Sequence, residues 1–148
     1  VYYREGIFTG YRGYEHNQVQ PLFPFGYGLS YTTFSYSGLE VKVDDRKKGD
    51  VTVRFSVRND GKREGAEVVQ LYVSDPKSGE PRPVKELKGF EKVNLKPGET
   101  QTVTLKLTQD DFSYFSSKKR KWVFEKGDFV IRVGASSQDI RLEETIRL

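Results

Sequence analysis

Between residues 51 and 58 the chain alternates without exception: Val51, Val53, Phe55 and Val57 are apolar, while Thr52, Arg54, Ser56 and Arg58 are polar or charged. Period two sends successive side chains to opposite faces of an extended backbone, so this segment predicts a strand with one face in a core and one in water. The same test predicts strands carrying Leu39, Val41 and Val43; Val69, Leu71 and Val73; Val103, Leu105 and Leu107; Trp122 and Phe124; Phe129, Ile131 and Val133; and Ile140, Leu142, Ile146 and Leu148. A further strand is expected around Val84 to Leu95. Because Trp122 and Phe124 share a face at this spacing, Trp122 is expected in the core. Turn residues separate the segments: Asn59, Asp60 and Gly61, then Asp75 and Pro76, then Pro97 and Gly98. These residues preset or tolerate the backbone angles that a chain reversal needs.

About seven to eight short strands and no sustained helical period predict an all-β chain, an antiparallel β-sandwich of the immunoglobulin or fibronectin III kind. A closed barrel would satisfy the same periodicity. The composition changes near Ser37 and Gly38. Residues 1–36 hold seven of the nine tyrosines and four of the ten phenylalanines, too many rings for so short a segment to bury against itself. The division expected is therefore 1–37 as a connector and tail of a preceding domain, and 38–148 as the sandwich. Within the connector, Pro21 and Pro24 fix φ and Gly26 and Gly28 let the chain turn. Tyr3, Phe8, Tyr11, Tyr14, Phe23, Phe25, Tyr27 and Tyr31 supply contact area for docking on another surface.

Composition narrows the chemistry. With 148 residues, 35% hydrophobic and 31% charged, the chain has the material for one core and is not of the disordered class. No apolar run approaches the roughly 20 residues that a helix needs to cross a bilayer, and no membrane partner is expected. The sequence has no methionine, so Val1 is not an initiator and a fragment or processed piece is expected. With no cysteine, disulfides, thiol catalysis and thiolate metal sites are excluded. The net charge is +4, and the one dense basic run, Lys118 to Lys121, sits between serines and Trp122 and reads as a solvated hairpin tip. No nucleic-acid partner is expected.

Candidate catalytic groups are few. His16 is the sole histidine, so a Ser/His/Asp triad would depend on it; it is expected on a surface loop. The carboxylate pairs Asp44 with Asp45, Asp110 with Asp111, and Glu143 with Glu144 invite a glycosidase reading, but adjacent residues on a strand point to opposite faces and cannot converge on one sugar. Gly26 and Gly28 form a GxG without a third glycine or a following helix, so no nucleotide site is expected. No catalytic residue, cofactor or metal is assigned to this chain.

Several stretches resemble one family. Leu22 to Phe34, LFPFGYGLSYTTF, resembles the connector that leads into the C-terminal fibronectin III-like domain of family 3 glycoside hydrolases, and Tyr3 to Glu15, YREGIFTGYRGYE, is similar to the segment before it. EVVQLYVSD at Glu67 to Asp75, RPVKELKGFEKVNLKPGE at Arg82 to Glu99, DFSYF at Asp111 to Phe115 and GDFVIRVGASSQDIRL at Gly127 to Leu142 follow in the family's order. The resemblance implies a parent that hydrolyses glycosidic bonds with retention, its nucleophilic aspartate on an N-terminal barrel and its acid/base glutamate on a middle α/β domain. Both would lie upstream, and no residue of this chain matches either motif. The spelling Pro-Leu-Phe-Pro-Phe-Gly is closer to β-glucosidases than to β-xylosidases. The role implied is a non-catalytic accessory domain partnered by the catalytic domains of the same polypeptide. The alternative is a module for a β-glucoside or a polymer surface, polysaccharide or lignin, with Tyr2, Tyr3, Tyr11, Tyr14 and Trp122 as its rings.

Overall fold

The computed structural model describes Tyr2 and residues 4–148. Along the chain lie α1 (Tyr11–His16), β1 (Phe34–Asp45), β2 (Asp50–Asn59), β3 (Gly65–Ser74), β4 (Glu86–Leu95), β5 (Thr100–Leu107), α2 (Gln109–Phe112), β6 (Tyr114–Ser116), β7 (Lys121–Val123), β8 (Asp128–Gly134) and β9 (Ile140–Arg147). One sheet has the order β1-β2-β5, a second β4-β3-β8-β9, and β6 and β7 pair only with each other. Every pairing is antiparallel and neither large sheet closes on itself, so the fold is the sandwich and not a barrel.

The alternation in β2 does what its chemistry requires. Val51, Val53, Phe55 and Val57 are fully buried between the sheets, against a core that includes Val69, Leu71, Val73, Ile131 and Val133. Three of the four one-residue irregularities in the pairing decide where particular side chains go. In β1, Ser37 faces Ser56 but Glu40 faces Arg54, so one extra residue is accommodated where Gly38 takes φ +62°. The bulge changes the parity of the strand: Phe34 and Tyr36 point inward before it, Leu39, Val41 and Val43 after it. The strand begins at Phe34, so the change in composition near Ser37 falls inside β1. In β4 the pairing steps from Leu71–Gly89 to Tyr72–Leu87, leaving Lys88 as the extra residue. In β9 it steps from Val133–Leu142 to Gly134–Ile140, leaving Arg141.

The β2–β3 turn is organised by a buried side chain. Asn59 Nδ2 donates to the carbonyls of Arg63 (2.7 Å) and Leu95 (2.9 Å), while Oδ1 accepts from the hydroxyl of Thr32 (2.6 Å) and the N–H of Gly61 (3.0 Å). One carboxamide thus joins the connector, the turn and the end of β4.

Three expectations need correction. Two short helices exist that periodicity did not show: α1, and the single turn α2, where the Asp111 carboxylate accepts the N–H of Thr108 at 2.8 Å and Phe112 is driven into the core beside Phe129. His16 lies at the end of α1, stacked on Phe8 with centroids 3.9 Å apart, and not in a loop. Trp122 is 68% exposed rather than in the core. Its strand ends at Val123, so the alternation that should have carried it inward with Phe124 stops, and only Phe124 packs on the core.

Candidate functional site

The outward face of the four-stranded sheet carries the connector. Gln70 and Tyr72 of β3 point away from the core yet are buried, because residues 11–26 lie over them. Gln70 Nε2 donates to the carbonyls of Gly26 (3.1 Å) and Ala135 (2.9 Å), and its Oε1 accepts the Tyr72 hydroxyl at 2.6 Å. Gly26 is at φ +78°, and a Cβ there would overlap the Gln70 carboxamide, so both its angle and its contact demand glycine. The Ser137 N–H donates to the Phe25 carbonyl at 2.8 Å, which fixes the same stretch to the β8–β9 turn.

Helix α1 is held on this face by charge as well as by rings. Tyr11 stacks on Phe25 (4.8 Å) and meets Tyr72 edge-on (6.1 Å), and its hydroxyl accepts the Leu87 N–H at 2.9 Å. Glu15 and Lys85 form an ion pair at 2.6 Å with both side chains about nine-tenths buried, and Arg12 reaches Glu86 at 3.1 Å. Glu86 also receives Arg82 at 2.8 Å. Burial raises the Glu86 carboxyl, but the Arg82 hydrogen bond and the charges of Lys88, Arg82 and Arg12 outweigh it and leave the group below its ordinary value.

These contacts divide the candidate docking residues. Tyr11 and Phe8 are half-buried, and Phe25 is packed on Tyr11 on one side only. Tyr14, Phe23, Tyr27 and Tyr31 remain exposed, Phe23 at 68% and Tyr31 at 90%, with Leu29 at 91% beside them. Phe23 and Tyr27 pair with each other at 5.7 Å. Tyr3 lies outside the described residues. Pattern reading missed Leu29, Val68 and Phe90; Phe90 lies opposite Gln70, so the exposed apolar surface continues from the connector onto the bare part of the sheet. Between residues 26–34 and that sheet runs a groove of about 520 Å³, with Val68, Glu67, Lys92 and Arg141 in its walls.

Of the paired carboxylates, Asp44, Asp45, Asp111 and Glu143 are occupied structurally. Asp44 accepts the Thr52 hydroxyl at 2.5 Å and pairs with Lys42, and Asp45 accepts the N–H groups of Lys47 and Lys48; those bonds hold both carboxyls below their ordinary values. Asp111 caps α2, and Glu143 pairs with Arg132 at 2.6 Å. Among the described residues no group of three or more His, Cys, Asp or Glu is placed to hold a metal ion, and no helix is long and apolar enough to cross a membrane.

A second concavity, about 450 Å³, lies where α1 and β4 meet the β6–β7 hairpin. Its walls include Arg12, Arg82, Lys88, Glu80 and Glu86, with Phe115 and Trp122 on the hairpin side. The two rings stand edge to face, 6.0 Å apart.

Comparison with known proteins assigns the fold. Residues 67–137 match the model of the fibronectin type III-like domain. The thermostable β-glucosidase B of Acetivibrio thermocellus is 50% identical across the whole of this chain, which spans 20% of that protein. The crystal structure of a family 3 β-glucosidase from Bifidobacterium adolescentis superposes with a TM-score of 0.93 at 40% identity, over 97% of this chain and 21% of that one. The β-glucosidase of Kluyveromyces marxianus superposes at 0.94 with 47% identity, over all of this chain and 18% of that one. The chain thus spans about a fifth of the length of the relatives it matches, and it belongs to the fibronectin type III-like domains of family 3 glycoside hydrolases.

Proposed function

We propose that this chain is the non-catalytic accessory domain of an enzyme that hydrolyses β-glucosidic bonds with retention, and that its partners are the catalytic domains of the same polypeptide. Residues 1–37 act as the connector and the tail of the preceding domain, the last four of them already paired with β2 as the start of β1, and residues 38–148 as the sandwich. The observation that carries this reading is the one-sided treatment of the connector: its backbone is bonded to the sandwich, while Phe23, Tyr27, Leu29 and Tyr31 are turned away from it. An apolar surface of this kind marks an interface. Of the docking candidates, Tyr14, Phe23, Tyr27 and Tyr31 offer the free surface, while Phe8, Tyr11 and Phe25 brace the platform that presents it, and Tyr3 is assigned to the same segment by its sequence.

A domain exchange tests this. The matching fifth of the Acetivibrio thermocellus relative is replaced by this chain, and the exchanged enzyme is compared with one lacking the region. The exchanged enzyme is expected to cleave an aryl β-glucoside and to inactivate on heating more slowly than the deletion, while the pure 148-residue chain releases no nitrophenol. Equal thermal inactivation of the two enzymes would reject the accessory role. Turnover by the pure chain that vanished on Asp110→Asn or Asp111→Asn would reject its non-catalytic nature.

A further inference from the structure

The groove between α1, β4 and the β6–β7 hairpin has the chemistry of a sugar site. Trp122 is 68% exposed and Phe115 is exposed beside it, standing edge to face, so an indole face is open to solvent at the groove's edge. An exposed indole offers an apolar, electron-rich face to the C–H groups of a pyranose, while the groups around it decide which polar ligands can follow.

Those groups carry both signs. Arg12, Arg82 and Lys88 stand in the walls with Glu80 and Glu86. An anion would meet the two carboxylates and a cation the three basic groups. A neutral polyol, whose hydroxyls both donate and accept, fits both. Arg82 is consumed by Asp75 (3.3 Å), Glu86 (2.8 Å) and the Phe112 carbonyl (3.2 Å) and so fixes the groove's floor. Lys88 is different. As the bulged residue of β4 it is turned out of the ladder's regular alternation, and burial lowers the affinity of its amine for a proton although no hydrogen bond or salt bridge reaches it among the described residues. Its ammonium thus stands at the wall of the groove, open to solvent and engaged by no side chain among the described residues.

We infer that this groove binds a neutral hexopyranose unit of a short oligosaccharide, with Trp122 stacking on the ring and Lys88 donating to a hydroxyl. The volume, about 450 Å³, lies in the range of small-ligand sites. This inference goes beyond the accessory role and does not depend on it, because the groove lies apart from Leu29 and Tyr31.

Trp122 is the sole tryptophan of the 148 residues, so its fluorescence reports on this groove alone. The chain is titrated with cellotriose and with laminaritriose while the emission is followed, and heats of binding are measured in parallel. A saturable change in emission with a matching heat is expected for at least one of them. Phe115→Ala and Lys88→Gln should each weaken binding about tenfold, and Trp122→Ala should weaken it by at least as much, as expected for the loss of one stacking or hydrogen-bonding contact. All three side chains lie outside the core, and unchanged melting temperatures would show that the variants remain folded. The inference is overturned by an emission that does not respond to either sugar while acrylamide still quenches it. It is equally overturned by binding that survives Trp122→Ala, or by binding of a polyanion such as heparin in place of the neutral sugars. None of these outcomes bears on the domain exchange, which reads thermal inactivation and not binding at Trp122.

Discussion

Asn59 shows how much one buried side chain can decide. Its four hydrogen bonds leave none of its capacity unused, and three of the partners are backbone groups at a turn that closes the sandwich. Truncation would strand the Leu95 carbonyl inside the protein and release Thr32, so Asn59→Ala should cost about 3 kcal/mol, read as a lower urea midpoint with unchanged slope. A loss of only a few tenths would mean that water replaces the carboxamide. Glu67 offers a test of opposite sign. Burial raises its carboxyl, and the Val68 N–H and Arg141 offset this only in part, while Asp139 adds to it. A carboxyl raised in the folded state costs nothing at low pH, where both states are protonated; its penalty develops as pH climbs from the unfolded value, about 4.3, through the folded one. Glu67→Gln should therefore raise the melting temperature at pH 7 and leave it unchanged near pH 3. A gain of equal size at both values would place the cause in packing and not in charge.

At the level of elements, alternation was legible where a strand sets one face on the core and turns the other toward solvent or the connector, as β2, β3, β5 and β8 do. It failed where tertiary contacts set the pattern. Helix α1 has no apolar stripe, because what holds it is the Lys85 ion pair, the Leu87 N–H of β4 donating to the Tyr11 hydroxyl, and the rings of Tyr72 and Phe25, none of which has a local signature. The hairpin of β6 and β7 has three residues to a strand, too few for period two to say which way Trp122 points. The connector's rings were legible as an excess, but their division between braced and free was not, since it depends on Gln70 meeting Gly26 across 44 positions. That division gives a prediction about the connector as a unit. Lys85→Ala leaves the Glu15 carboxylate buried without its cation, and Gly26→Ala places a methyl group against Gln70 at a backbone angle that disfavours it. Loss of one partner of a buried pair costs about 3–5 kcal/mol. Amide exchange over residues 11–26 should quicken strongly in either variant while residues 51–58 keep their protection. Uniform quickening over both segments would show that the connector and the sandwich open as one cooperative unit.

On the scale of the molecule, the two faces of the four-stranded sheet do different work. The inner face supplies half of a core that needs nothing from outside, with Val69, Leu71, Val73, Ile131 and Val133 fully buried. The outer face is covered only at one end, and what covers it adds apolar surface instead of hiding it: Leu29 and Tyr31 are about nine-tenths exposed, and Val68 and Phe90 continue the surface over bare sheet. A large side chain contributes about 1.5–3 kcal/mol when burial is complete and nothing while it stays in water. Leu29 and Tyr31 should therefore be silent in one context and valuable in the other. In the isolated chain, the double change Leu29→Ser with Tyr31→Ser should leave the melting temperature within a degree or two and improve solubility. In the exchanged enzyme, the same change should lower thermal stability by several kcal/mol and approach the behaviour of the deletion. Phe25→Ala provides the contrast, because its ring already rests on Tyr11, and it should destabilise both forms. If the double change were silent in both, the free rings would face solvent in the whole enzyme as well, and the interface would have to be sought on the other sheet.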